Sequence, residues 1–363
     1  MRVGPRPSAC ASDHSNAACP TDRPDASCAS AARRRAAAGE GTAEDWRKWW
    51  NDPEALSYYF MGKDNIVFHS QIWPAELLAY NGEGSRGGKP GKLGRLNLPT
   101  QVVASEFLTM EGKKFSSSKN VVIYVRDVLS RYQPDALRYF ISIAGPETAD
   151  ADFTWAEFVR RNNSELVAGW GNLVNRAAAM IAKNFGEIPA PGRLEEVDAE
   201  LLDAVRNGFA TVGESIANHS QRAALTEIMR LVGEANAYVA KTEPFKLKAP
   251  EQRERLAAVL HTLAQAVRDL NTMMSVFLPH SSNAIDRVFG GDGDLAPMPR
   301  LEEAEDLDGG DPYPIITGDY SPVRPWASSE VVPGTPVAKP TPVFAKLDEA
   351  VVAEELERLG IEA

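Results

Sequence analysis

Apolar positions along this chain fall into two regimes. From about Trp46 to Val125 they come in short runs separated by glycine and polar stretches. Tyr58-Tyr59-Phe60-Met61 predicts a buried strand, ended by Gly62-Lys63-Asp64. Asn65 to Tyr80 reads as a helix, with Pro74 tolerated near a first turn. Thr100 to Leu108 is β-like, and Val121 to Val125 is strand-like or a short apolar packing segment. Trp46, Trp49 and Trp50 precede Asp52-Pro53, which predicts a helix start. Two surface connections separate these elements: a Gly-rich loop from Asn81 to Arg95, and a polar loop from Gly112 to Asn120.

From Pro134 onward the apolar period becomes helical. Thr154-Trp155-Ala156-Glu157 has the capping-box pattern and predicts the start of a long helix. Leu166, Trp170, Leu173, Val174, Ala177 and Ile181 share one face of it. Leu225, Ile228, Met229, Val232 and Val239 mark a second stripe. Leu256, Val259, Leu260, Leu263, Val267, Leu270 and Met274 mark a third. Such stripes are the core of a helical bundle rather than a cofactor box. After Gly290 the chain is rich in proline and glycine, with a short last helix near Leu347 to Leu359. This predicts an extension laid over the body.

Composition narrows the picture. The 363 residues are 44% hydrophobic and 25% charged, which suits a soluble protein of two or three domains. No run approaches the ~18 apolar residues that a membrane span needs. The net charge of −11 argues against sequence-blind attraction to nucleic acid, but leaves room for a local basic patch. Cys10, Cys19 and Cys28 are spaced too widely for a CxxC pair, and no histidine cluster completes a metal site. A reducing cytoplasm fits them. Residues 1–43 are poor in large apolar side chains and predict a disordered tail without a catalytic role. Arg33-Arg34-Arg35 has no apolar region after it, so an export signal is rejected. Asp13, Asp22 and Asp25 count against a transit peptide.

Four groups could carry chemistry. Lys113-Lys114-Phe115-Ser116-Ser117-Ser118-Lys119 offers mobile positive charge and hydroxyl donors, suited to closing over polyphosphate. A loop of this composition is more often simply a solvated turn. Phe68, His69 and Trp73 at helical spacing could line a pocket for a flexible apolar ligand, or simply pack in a core. Asp64 after Gly62 ends a predicted strand, where open α/β sheets bind nucleotides and an acid can hold ribose hydroxyls; it is also an ordinary turn aspartate. Asn172 and Arg176, four apart on one helix face, and Phe245 after Pro244 are suited to reading splayed-out RNA bases. Surface polarity and a packed phenylalanine would account for them too. The Gly87 to Lys92 stretch is one residue short of a P-loop and has Leu93 where a hydroxyl should bind magnesium, so it is set aside as a flexible connection.

Taken together, these segments resemble a known family. Tyr58 to Ser70 with Trp73-Pro74 resembles the strand–helix signature of methionine–tRNA ligases. Lys114-Phe115-Ser116-Ser117-Ser118 is similar to the KMSKS loop of class I aminoacyl-tRNA synthetases, and Asp135-Ala136-Leu137-Arg138-Tyr139-Phe140 follows at the family's distance. Asn172 to Arg176, Asn236 to Tyr238 and Pro244-Phe245 resemble its anticodon-binding segments. The loop variant and the Ala/Arg-rich usage resemble actinobacterial members.

The resemblance implies an α/β plus all-α fold: a partial Rossmann-like catalytic domain followed by an α-helical anticodon-binding bundle. It implies domains at 44–153 and 154–292, then an extension at 293–363. The implied activity joins methionine and ATP, with Mg2+, into methionyl-adenylate, then transfers methionine to a CAU-anticodon tRNA. Phe68, His69 and Trp73 would line the methionine pocket. Gly62, Asp64 and Lys114 would hold ATP, and Lys114, Ser116, Ser117, Ser118 and Lys119 would form the catalytic loop. Asn172, Arg176 and Phe245 would read the anticodon. No metal held by the protein and no membrane partner is expected.

Two positions depart from the family: Ser117 replaces the usual second lysine of the loop, and Phe245 stands where many relatives have tryptophan. No His-x-Gly-His occurs in the chain. The expectation is therefore an amino-terminally shortened ligase, inactive alone in adenylation, whose amino-terminal half is missing. A tRNA-binding module without catalysis and one half of a split ligase are the alternatives.

Overall fold

The structure is a computed structural model, and it describes residues 42, 44–84, 87–115, 122–305, 311–319 and 321–361. The expected tail therefore lies outside the described residues, apart from Thr42. The chain divides into two compact units: Met1–Tyr59 with Val67–Val102, and Phe60–Ile66 with Val103–Ala363.

In the first unit, helix α1 (Arg47–Trp50) precedes Asp52-Pro53 instead of following it. Trp46 at its start is buried. Strand β1 (Tyr58–Gly62) pairs with β2 (Gln101–Ser105), and each strand gives its first residues to this unit and its last to the other. Strand β1 is not buried as predicted: Phe60 is 62% exposed. The expected helix to Tyr80 is built in pieces. A 3-10 turn spans Lys63–Asn65, a π turn spans Phe68–Ile72, and helix α2 spans Trp73–Tyr80.

The reason for the π turn lies at Pro74. Its ring would crowd the carbonyl four residues back, and it has no N–H to donate. The widened ladder, with Trp73 N–H reaching the Phe68 carbonyl, opens the chain there. The Gly-rich connection after α2 is also less free than predicted. Tyr80 Oη accepts from Leu93 N–H at 2.7 Å, and a side chain at Gly91 would overlap the Tyr80 ring. Asn81 exchanges two hydrogen bonds with the backbone of Leu96, both at 2.8 Å.

The second unit opens with a small sheet of order β4-β3-β5. Strand β3 (Leu108–Met110) runs antiparallel to β4 (Lys113–Lys114) and parallel to β5 (Ala151–Phe153). Between β4 and β5 lie α3 (Val125–Leu129) and α4 (Pro134–Ala144). The strand-like option for residues 121–125 is corrected: residues 122–124 have no regular structure, and Val125 opens α3.

The long helix appears as predicted, with a change of winding inside it. Thr154 caps α5 (Trp155–Arg161) by accepting from Glu157 N–H at 3.2 Å. A π segment (Asn162–Gly171) leads directly into α6 (Asn172–Asn184). The predicted stripe Leu166, Trp170, Leu173, Val174, Ala177 and Ile181 is fully buried. Helices α7 (Glu196–Ala217) and α8 (Gln221–Thr242) form a hairpin. Their close approach depends on Gly208, where an added Cβ would lie 2.5 Å from Leu231. Helix α9 (Arg253–Met274) runs through the centre, buried on nearly every side, followed by α10 (Pro279–Val288).

The remaining residues form the β6 (Arg300–Ala304) and β7 (Tyr313–Thr317) hairpin, an extended return path and α11 (Ala350–Arg358). The return path is held by side-chain amides. Gln265 accepts from Val331 N–H at 2.8 Å and donates to the Ser329 carbonyl at 2.9 Å. Gln133 accepts from Ala345 N–H, and Asn162 donates to the Ala345 carbonyl at 3.0 Å. Phe344 packs beside Gly171, where any larger residue would crowd its ring. Arg131 and Tyr132 close the path on the buried Glu355, at 2.7 Å and 2.6 Å. Burial and the Glu355 hydrogen bond push the Tyr132 hydroxyl up to about 12.

Candidate functional site

In the first unit the candidates His69 and Trp73 form one cluster with Tyr59 and Trp50. The Trp73 ring meets Tyr59 edge-on at 4.8 Å, His69 at 6.0 Å and Trp50 at 6.1 Å between centroids. His69 and Trp73 are half-buried, while Phe68 is 55% exposed. The π turn brings about this arrangement, because its wider winding offsets Phe68 and His69 from the face that α2 would otherwise continue. Sequence reasoning missed Tyr59 and Trp50, and the local signal was present: both lie in aromatic runs just before the motif.

In the second unit Lys114, a nucleotide candidate, and Lys63, between the candidates Gly62 and Asp64, approach a residue that was not singled out. Phe107 lies between β2 and β3. Lys63 Nζ lies 4.2 Å from its ring centroid and Lys114 Nζ 5.9 Å. An aromatic face attracts cations, so the ring draws both lysines toward one place. Lys63 also pairs with Glu106, and with Asp150 at 3.0 Å. These bonds, Glu106 first, hold the Lys63 ammonium above its ordinary range. Asp150 accepts from Phe107 N–H at 2.9 Å. That bond and the one to Lys63 hold its carboxyl low.

Gly62 and Asp64 flank Lys63 at the strand end, with Asp64 exposed. A phosphorylated ligand here would meet two ammonium groups, that of Lys63 already paired with Glu106 and Asp150, with the exposed Asp64 carboxylate next to it in the chain. Ser116, Ser117, Ser118 and Lys119 lie outside the described residues. Among the described residues no group of three or more His, Cys, Asp or Glu side chains could hold a metal ion.

Asn172 is exposed at the start of α6, and Arg176 is half-buried one turn later. Helix α8 ends at Glu243, which adopts the left-handed conformation with φ 44°, a role usually filled by glycine. Pro244 behind it is buried, and the short turn Pro244–Lys246 presents Phe245 at 50% exposure. Lys241, Lys246 and Lys248 are exposed around it. Lys246 pairs with Glu243 at 2.7 Å.

Tyr238, in the neighbouring motif segment, faces inward. Its hydroxyl donates to the buried Asp198, which Arg255 also grips, so Tyr238 is not available to a base. Asn236 bonds the Gly169 carbonyl at 3.3 Å and ties α8 to the π segment.

Residues 29–178 match the family described as tRNA synthetases class I (M). The class is therefore that of the class I aminoacyl-tRNA synthetases. The chain is 65% identical over 314 residues to a methionine–tRNA ligase of Nocardioides sp., which covers 86% of this chain and 52% of the relative. It is 64% identical over 323 residues to that of Kineococcus radiotolerans, covering 88% and 54%.

The fold is also that of Mycobacterium tuberculosis methionyl-tRNA synthetase bound by methionyl-adenylate. The TM-score is 0.64 at 24% identity, covering 83% of this chain and 51% of that one. The chain belongs to the methionine–tRNA ligase family. It spans about half the length of the relatives it matches. Among the described residues no helix is long and apolar enough to cross a membrane.

Proposed function

We propose that these residues serve a methionine–tRNA ligase, supplying part of its adenylation site and its anticodon-reading helices. The observation that best supports this is the approach of Lys63, flanked by Gly62 and Asp64, and of Lys114 to the one ring of Phe107, in a chain so close to known ligases. In this reading Asp64 accepts from the ribose hydroxyls of ATP. Lys114 meets the negative charge that grows on the departing pyrophosphate as the methionine carboxylate attacks the α-phosphorus. Ser116, Ser117, Ser118 and Lys119 continue that loop. Mg2+ enters with the triphosphate, as part of the substrate.

Phe68, His69 and Trp73 take the thioether side chain, which aromatic edges and faces suit. The methionyl group then passes to the 3′ end of a CAU-anticodon tRNA. Phe245 stacks on an unpaired base, and Asn172 and Arg176 meet base edges. Adenylation is assigned to the whole ligase rather than to these 363 residues by themselves, which hold no His-x-Gly-His.

The test is a titration of the full chain with methionine tRNA, and with the same tRNA carrying a changed anticodon, at one salt concentration. Binding at least about tenfold tighter to the CAU form is expected. Equal affinity for the two would remove the anticodon-reading role.

A further inference from the structure

The turn that carries the chain from β3 to β4 is built against the preferences of its residues. Glu111 and Gly112 both have positive φ, 48° and 71°. Positive φ at both central positions defines the tight hairpin turn that matches strand twist, normally filled by Asn-Gly or Asp-Gly. Glutamate is strained in this conformation, which brings its Cβ close to the following carbonyl oxygen. The side chain explains its presence.

Glu111 Oε1 accepts from Trp155 N–H at 2.8 Å, at the first residue of α5, where backbone donors lack partners within the helix. From the other side, Asp152 on β5 accepts from Gly112 N–H with both carboxylate oxygens, at 3.0 Å and 2.9 Å. It also accepts from Thr109 Oγ1 at 2.5 Å. Two carboxylates thus clasp one turn, and the strand that leaves it is only Lys113-Lys114. So short a strand has little pairing of its own to hold it.

We propose that Glu111 and Asp152 are positioning residues: their clasp on the β3–β4 turn fixes where Lys114 presents its charge to the triphosphate. The inference rests on the reading of Lys114 given above. It concerns a group that touches no substrate, and the effect should fall on the chemical step.

The test uses a full-length ligase in which these residues follow the amino-terminal half of the Nocardioides relative. Glu111→Gly relieves the backbone while removing the Glu111 half of the clasp and leaving the Asp152 bonds to Gly112 in place. Methionine-dependent exchange of pyrophosphate into ATP should slow about 10- to 100-fold in kcat, the scale expected when a catalytic group is misplaced by about 1 Å. The KM for methionine should stay within about twofold, since that pocket is untouched. The melting temperature should not fall. Glu111→Gln keeps an oxygen acceptor and should restore most of the rate.

Glu111→Gly combined with Lys114→Ala should be no slower than Lys114→Ala alone, because both act through the same lysine. A Glu111→Gly enzyme with unchanged kcat, or a slow one that Glu111→Gln does not rescue, overturns the positioning role while Lys114→Ala remains slow. An unimpaired Lys114→Ala enzyme instead removes the reading of Lys114 itself.

Discussion

Asn163 pairs with Leu347 through both ends of its side-chain amide. Its Nδ2 donates to the Leu347 carbonyl at 2.8 Å, and its Oδ1 accepts from the Leu347 N–H at 2.9 Å. The amide does for Leu347 what a neighbouring strand would do. Asn81 treats Leu96 in the same way, and Asn283 treats Ala296 at 2.9 Å and 2.7 Å. The Asn163 pair lets the returning chain lie on a helix, a surface that offers no free backbone ladder.

Replacing Asn163 by leucine should loosen this seam. Two backbone groups of Leu347 would lose their partners, at about 1–3 kcal/mol for a buried polar group left unsatisfied. Hydrogen exchange should speed up over residues 343–358, with α7 and α8 unchanged. Uniform exchange across the whole helical part would show that Asn163 supports the fold at large instead.

Phe245→Ala should weaken binding of a CAU-anticodon tRNA by roughly ten- to a hundredfold, matching ~1–3 kcal/mol for a base stacked on an aromatic ring. Binding of a tRNA with another anticodon should change little. Because the ring is half exposed and Pro244 carries the burial, melting of the chain should stay within about 0.5 kcal/mol, the usual range for surface substitutions. Equal losses for both tRNAs would place Phe245 outside base recognition.

The Asp198 network should make stability depend on acid. Burial alone would raise this carboxyl, but bonds from Arg255, Tyr238 and the Glu195 N–H outweigh burial and hold it low. A carboxyl held low when folded binds protons less readily than in the unfolded chain. Its stabilisation is therefore complete above the unfolded value of about 3.9 and drains away as pH falls through the folded value. Asp198→Asn should cost about 3 kcal/mol at neutral pH, as expected when a buried ion pair is broken. The gap between variant and parent in urea titrations should narrow below about pH 4. A gap that is constant with pH would mean that the carboxylate's charge is not what matters.

Gly208→Ala should destabilise the α7–α8 hairpin by about 1–3 kcal/mol through overpacking against Leu231. Adding Leu231→Ala should recover part of that loss. A more stable Gly208→Ala chain would mean that the gain in helix propensity outweighs the contact.

The helical core was the most legible part of the sequence, because period alone identifies a buried face. Leu166, Trp170 and Leu173 needed no knowledge of their partners to be placed inside. The β3–β4 turn was illegible for the opposite reason. Glu111 is a poor residue for its conformation, and only Trp155, far along the chain, explains it. Phe107 was missed because a single aromatic between two strands carries no period, and its meaning comes from lysines on other segments. The amide seams are invisible in principle: Asn163 and Leu347 are 184 positions apart, and the partner is backbone, identical for every residue type.

The return path also decides where this protein can be cut. A fragment ending near residue 292 would keep every helix from α5 to α10. It would, however, strip Gln265, Asn162 and Asn163 of their backbone partners, uncover the floor beneath Phe344 and leave Arg131 without Glu355. A cut on the carboxy-terminal side therefore takes partners from inside the helical half, up to and including its contact with α11.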